Sequence, residues 1–320
     1  MKVAVRQDLS CALGKLKFVV RIEKTMTIPA VPSLETESTR TWRHVIAVVA
    51  RDPLSLASVI IITVFILMAV FANQVAPYPE EGAGRTNAGN TLAAPSSHNI
   101  FGADKLGRDI LSRVIVGARP ALIIPIFVVA LAVLIGAPLG ALAGYKGGWI
   151  DEIIMRITDL FLAFPSLLLA MAIAFALGRG LDKAAIALII SWWPWYTRIA
   201  RGVAVGLRER YFVEAAQASG VSDAVIVFRH ILPNTISPIL VQATVDMGTV
   251  ILAMGGLAFL GLGTQPPAPD WGLMVSDGRT YMLNQWWIAT FPGMAIFIVV
   301  LAFNLLGDTL RDIFDPRQYR

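Results

Sequence analysis

Glu152, Arg156, Asp159 and Asp246 are ionisable residues set inside stretches that are otherwise almost wholly apolar. An isolated ion at the centre of a bilayer costs about 2.5–3.5 kcal/mol on insertion scales, so groups of this kind either line a polar path or are neutralised by a partner. Glu152, Arg156 and Asp159 are spaced by four and three, which places them on one helix face where they can partly neutralise one another. Counted from Ile150 at the helical rise, Asp159 would lie about 14 Å deep. Asn304 and Asp308 approach the end of the last apolar stretch. Interfacial charge and interhelical hydrogen bonding account for Glu152, Arg156 and Asp308. For Asp159 and Asp246 two readings stand, a polar pore lining and plain helix-to-helix contact.

Other chemistry is poorly represented. His44, His98 and His230 lie in separate segments, and neither an HExxH pair nor a GxSxG elbow occurs. Cys11 is the only cysteine, so an intrachain disulfide and a cysteine-built metal site are both excluded. The sole Gly-Lys pair, Gly14-Lys15, has Leu9 where a phosphate-cradling loop needs its first glycine and Leu16 where it needs a hydroxyl. The expectation is a chain that is not an enzyme, holds no metal or cofactor, and takes any ATP-derived work from another subunit.

The elements that position these residues follow from composition. Of 320 residues 56% are hydrophobic and 15% charged, and the mean hydropathy is +0.66, against roughly 25% charged in soluble domains. Apolar runs near the 20 residues needed to cross about 30 Å of hydrocarbon occur at 54–75, 120–144, 150–177, 184–205, 238–262 and 288–306. Their length fits helices, not the roughly 10-residue alternating strands of a barrel. The predicted class is an all-α, polytopic transmembrane bundle of six spans.

Most of the 27 Lys and Arg residues fall on one side if the N-terminus is cytoplasmic, which predicts both ends inside. Positive-inside loops also account for the net charge of +5, so the bilayer, and no nucleic acid, is the expected surroundings. The predicted division is a cytoplasmic tail at 1–50, a first span at 51–76, an external loop at 77–106, a five-span core at 107–310 containing a cytoplasmic loop at 207–234, and a cytoplasmic tail at 311–320. Met26 offers a second candidate start.

Within this frame, Ile110, Leu111, Val114 and Ile115 recur at helical spacing, with Asp109 four before Arg113. That predicts an amphipathic interfacial helix with an Asp109–Arg113 ion pair, ending where Pro120 starts the second span. Gly136, Gly140 and Gly144 form a small-xxx-small stripe for close helix packing. Pro165, Pro194 and Pro292 fall in or beside later spans, where kinks are tolerated.

The stretch EAAQASGVSDAVIVFRHILPN, residues 214–234, is polar and helix-prone between two apolar segments. Gly220 supplies a helix-ending turn, Ser222 or Asp223 a cap for a second helix, and Pro233 its stop. Val221, Val225, Ile226 and Phe228 exceed what a solvated loop needs, which calls for a separate protein as cover. The stretch resembles the cytoplasmic loop of bacterial ABC importer permeases. Glu214, Ala215, Ala216 and Gly220 match that motif one for one, and Leu232 and Pro233 match its Leu-Pro. His230 stands in its Ile slot, with Ile231 one place later. The resemblance implies that these residues dock on a partner ATPase and transmit its closing motion.

LGRDILSRVIVGAR, AGYKGGWIDEIIMRITDLFLAFP, FLGLGTQPPAPDWGLM and LAFNLLGDTLRDIFDPR are similar to the dipeptide, oligopeptide and nickel branch of that family, in its second permease subunit type, over about residues 45–318. That implies a type I ABC importer permease fold forming half of a pore for di- or oligopeptides. The implied partners are a homologous permease subunit, two ATPase subunits that bind the ATP, and an external solute-binding protein. The QPPAPDWG segment would be external, either meeting that binding protein or serving as a constrained turn. The alternative is a proton-coupled secondary transporter using Asp159 and Asp246.

Overall fold

A computed structural model describes residues 52–314, so the expected tail at 1–50 lies outside the described residues, and of the expected tail at 311–320 only 311–314 are described, as the end of the last helix. The described residues are helical, with one isolated antiparallel bridge, Ala103 to Asp109. Helix α1 (Pro53–Val70) starts on the Asp52 carboxylate, which accepts from the Ser55 amide at 2.8 Å, with Pro53 in the first turn. Both are features of a favourable N-terminus.

Helix α2 (Ile110–Lys146) follows. At 37 residues it reaches about 55 Å, well beyond the hydrocarbon thickness. The remaining described helices of eight or more residues are α3 (Gly148–Leu162), α4 (Ser166–Leu177), α5 (Leu181–Arg208), α6 (Tyr211–Ala218), α7 (Ile236–Phe259), α8 (Trp271–Gly278) and α9 (Trp287–Phe314).

Among the described residues, four helical runs are long and apolar enough to cross a membrane: α1, α2, Asp223–Phe259 and α9. The pair α3 and α4 qualifies together but bends by 86°, so the third span expected at 150–177 is broken at Pro165, far more sharply than a kink. Pro165 lacks the amide that would continue α3's hydrogen-bond ladder and caps α4 instead. Helix α5 has the length, 28 residues, but carries Asp182 and Lys183 at its start and Arg198 and Arg201 further on.

The expected interfacial helix before Pro120 is not a separate element. Helix α2 runs unbroken through Pro120, Pro125 and Pro138, because a proline removes one helix amide and neighbouring helices can compensate. Nor does the Asp109–Arg113 pair form. Asp109 caps α2, accepting from the Ser112 amide at 2.7 Å and from Asn99 at 2.9 Å. The buried Arg113 stands 3.8 Å from Asp104, which also accepts from Arg108 at 2.7 Å.

These charges stiffen the segment before α2, which contains the short helix Pro79–Ala83 and turns. Trp271 donates to the Val114 carbonyl at 2.9 Å and Lys105 pairs with Asp277 at 2.7 Å, fastening α8 to the same end. Asp270 caps α8 at the Leu273 amide, and burial pushes its carboxyl above the ordinary value against that bond and the one from Thr264. In the QPPAPDWG segment Asp270, Trp271 and Gly272 are buried by this packing, while Gln265, Pro266 and Pro267 stay exposed.

The glycine stripe sets the central contact. A Cβ on Gly136 or Gly140 would overlap the carbonyl oxygen of Trp193 or Thr197 on α5, and one on Gly144 would lie 2.7 Å from the Arg201 oxygen and the Ala204 Cβ. Those contact points repeat every four residues on α5, so the two backbones lie against each other along the stripe.

Gly140→Ala is therefore expected to lower stability by about 1–3 kcal/mol through overpacking. Gly202→Ala on α5 has open space at its Cβ and should be neutral or slightly stabilising. Thermal unfolding of the detergent-purified variants compares the two.

Candidate functional site

The 214–234 stretch forms two limbs joined at Gly220. Helix α6 carries Glu214, Ala215 and Ala216, and ends with Gly220 at φ +75°, a left-handed turn that glycine adopts without strain. The second limb begins at Asp223, with Ser222 at the cap position. It widens into a π-type turn over Ile226–Ile231 and tightens into a 3-10 turn over Leu232–Thr235. It then continues into α7, so Asp223–Phe259 is one 37-residue run. Pro233 therefore does not stop this helix. It sits in the first turn of the tight segment, where a missing amide matters least.

The apolar side chains on the loop have two destinations. Ile226, Val227 and Ile231 are buried with Val213 against Ala141 and Tyr145 of α2 and Ala204 of α5, and Val221 packs at the edge. The chain itself thus covers Ile226 and Val221, which sequence reasoning had assigned to a separate protein. Tyr211 (90% exposed), Phe212, Val225 and Phe228 remain on the outside.

The candidate docking residues divide in the same way. Glu214, Ala215, Gly220 and Pro233 are exposed, whereas Ala216 and Leu232 pack on the small core beneath the loop. His230 is half-buried, and its carbonyl accepts from Asn234 at 2.6 Å.

Polar contacts fix the loop's inner face. The Tyr145 hydroxyl donates to Asp223 at 2.6 Å and accepts from Gln217 at 3.2 Å, while Lys146 forms an ion pair with Asp223. Sequence reading offers Asp223 only as a helix cap and gives Tyr145 and Gln217 no role, because the partners of Tyr145 lie 72 and 78 residues away.

The two intramembrane acids do not meet. Asp246 on α7 is buried, accepting from Tyr196 of α5 at 2.7 Å and from Gln242 at 3.0 Å. Asp159 on α3 is half-exposed and pairs with Arg198 of α5 at 2.7 Å, not with Arg156. Arg156 faces Glu152 at 3.5 Å, as expected. A second link joins α3 to α5, Arg201 to Asp151 at 2.5 and 2.6 Å. Asp308 is exposed on α9, and the Asn304 amide donates to the Val300 carbonyl at 2.8 Å.

Residues 136–320 match the family described as binding-protein-dependent transport system inner membrane component. Residues 41–95 match the N-terminal TM domain of oligopeptide transport permease C. The chain is 45% identical over 276 residues to the dipeptide transport system permease protein DppC of Alkalihalophilus pseudofirmus, covering 86% of this chain and 90% of that one. It is 43% identical over 266 residues to the probable D,D-dipeptide transport system permease protein DdpC of Escherichia coli, covering 83% and 88%. It is also 43% identical over 289 residues to the glutathione transport system permease protein GsiD of Escherichia coli, covering 90% and 95%. Among solved structures, an inward-facing conformation of the MetNI methionine ABC transporter superposes with a TM-score of 0.51 at 18% identity, covering 63% of this chain and 96% of that chain. That likeness concerns the fold.

Ile226→Ala should destabilise the loop's anchorage by about 2–5 kcal/mol, the usual cost of truncating a fully buried aliphatic. Tryptic cleavage at Arg208, Arg210 and Arg229 should accelerate while the segment before α2 stays resistant. The outward-facing Phe228→Ala should leave the cleavage rate unchanged.

Proposed function

This chain belongs to the family of inner membrane components of binding-protein-dependent transport systems, and from that premise we propose that its solutes are short peptides, dipeptides first. It is a multi-pass transmembrane permease of an ABC importer. Two of the relatives reported above are permeases for dipeptides or D,D-dipeptides and one for glutathione, itself a small peptide.

In the proposed assembly the chain forms half of a pore with a homologous permease, served by two ATPase subunits and an external solute-binding protein. ATP is bound by the ATPases, and this chain holds no cofactor. The proposed membrane arrangement has six spans, counting the bent α3–α4 pair and α5, with both termini and the 207–234 loop cytoplasmic. The observation that carries the reading is the two-sided loop. Its inner face is packed on α2 and α5, while Glu214, Ala215 and Gly220 are presented away from the bundle beside Tyr211 and Phe228.

The mechanism is alternating access. A closing ATPase displaces α6 and the second limb, and the displacement reaches α7 through continuous backbone. Coupling of this kind requires contacts that differ between two states of the bundle. Asp246 acts as a bridge from α7 to α5, because both its oxygens are held by Tyr196 and Gln242. Asp159, with a half-exposed carboxylate, is the better candidate for the polar pore surface. The proton-relay alternative is set aside, since the relatives are ABC permeases and the two acids share no hydrogen bond.

Gly220→Pro forces φ to about −65° where +75° is needed, and Glu214→Lys reverses an exposed charge. Both variants should insert normally in the membrane. In proteoliposomes holding the full complex and its binding protein, each should cut ATP-driven uptake of labelled dialanine by at least about 5-fold, the low end of coupling energies. Normal uptake by either variant, or uptake by the permeases with no ATPase present, would overturn the reading.

A further inference from the structure

The buried core beneath the loop locates it, but apolar packing is non-directional and permits sliding. One polar contact lacks that freedom. The Tyr145 hydroxyl, on the last turn of α2, is bonded to Gln217 before the Gly220 turn and to Asp223 after it. A single atom thus ties both limbs of the loop to one helix end. Lys146, the next residue, holds the other oxygen of the same carboxylate.

We infer that Tyr145, Lys146 and Asp223 form a latch that carries the loop's displacement sideways into α2, in addition to the backbone route into α7. The inference rests on the coupling-loop reading above and names positioning residues for it. Three observations support it. Asp223 opens the 37-residue run that becomes α7, so the latch joins the starting point of one long helix to the end point of another. Helix α2 is locked along the glycine stripe to α5, so motion delivered to Lys146 must move α2 and α5 together. Finally, the ion pair is half-exposed, at 36% for Lys146 and 49% for Asp223. Exposed pairs contribute little to stability, so this one is better suited to fixing a direction than to holding the fold.

The test uses the complete transporter in proteoliposomes, reading dialanine imported per ATP hydrolysed. Asp223→Asn and Lys146→Met should keep ATPase binding and hydrolysis within about 2-fold of the parent while import per ATP falls at least about 5-fold. Tyr145→Phe, which keeps the buried ring and loses only the hydroxyl, should fall in the same direction. The double exchange Lys146→Asp with Asp223→Lys should recover most of the loss, a rescue that a general structural defect would not show. If the single variants import as many peptides per ATP as the parent, or if the exchange rescues nothing, the latch is overturned while the docking reading stands. If the parent complex imports no dialanine on ATP, the docking reading falls and the latch with it.

Discussion

The backbone contact between α2 and α5 is the constraint on which the other packing depends. In lipid there is no hydrophobic gain from bringing two apolar helices together, so association relies on van der Waals contact and interhelical hydrogen bonds. The Gly136, Gly140 and Gly144 stripe permits that contact by letting the Trp193, Thr197 and Arg201 carbonyls rest where side chains would otherwise stand. Once the Thr197 backbone faces α2, the rotation of α5 about its axis is set. Its neighbour Tyr196 then meets Asp246 on α7, and the Arg198 and Arg201 side chains meet Asp159 and Asp151 on α3. A side chain inserted in the stripe would disturb all three attachments at once.

The two ends of the bundle treat charge differently. Where α2 begins, Asp104, Arg108 and Arg113 are nearly wholly buried, and Asp109 is buried in its cap. Removing one member would leave an uncompensated charge, a cost far above the value of an exposed pair. This end resists rearrangement. Where α2 finishes, Asp223 with Lys146, and Asp159 with Arg198, are half-exposed. Such partly exposed pairs add less to the stability of the fold than the buried cluster does. In the proposed alternating-access cycle, the end with the buried charges would serve as the pivot.

Sequence reasoning reached the features governed by local or periodic rules. The glycine stripe, the Gly220 turn, the apolar runs and the Glu152–Arg156 pair all depend on spacing within a single helix. It failed where a distant partner competed with a local one. Asp109 was assigned to Arg113 by the four-residue rule, yet a free helix N-terminus and Asn99 offered the carboxylate more hydrogen bonds. Asp159 was grouped with Arg156, but Arg198 on α5 lies within reach. The latch left no local signal, since a tyrosine and a lysine ending a span read as ordinary interfacial residues.

Proline was the other source of error, and its behaviour here bears on how the loop is joined to the span. At Pro165 the chain turns sharply, whereas at Pro120, Pro138 and Pro233 the helical path continues. A missing amide is tolerated when the helix can adjust its winding nearby. Before Pro233 the winding loosens over Ile226–Ile231, and from Leu232 it tightens through Thr235 before α7 begins. Such stretches have weaker hydrogen-bond geometry than a regular α-helix and commonly mark hinges. The loosened turn is also where Ile226, Val227 and Ile231 are gripped by α2 and α5. A push on the loop therefore meets a compliant joint on the backbone route to α7 and a directional polar contact on the route to α2. On the latch proposal both routes are engaged, so a push on the loop is shared between α7 and, through Asp223, the paired helices α2 and α5.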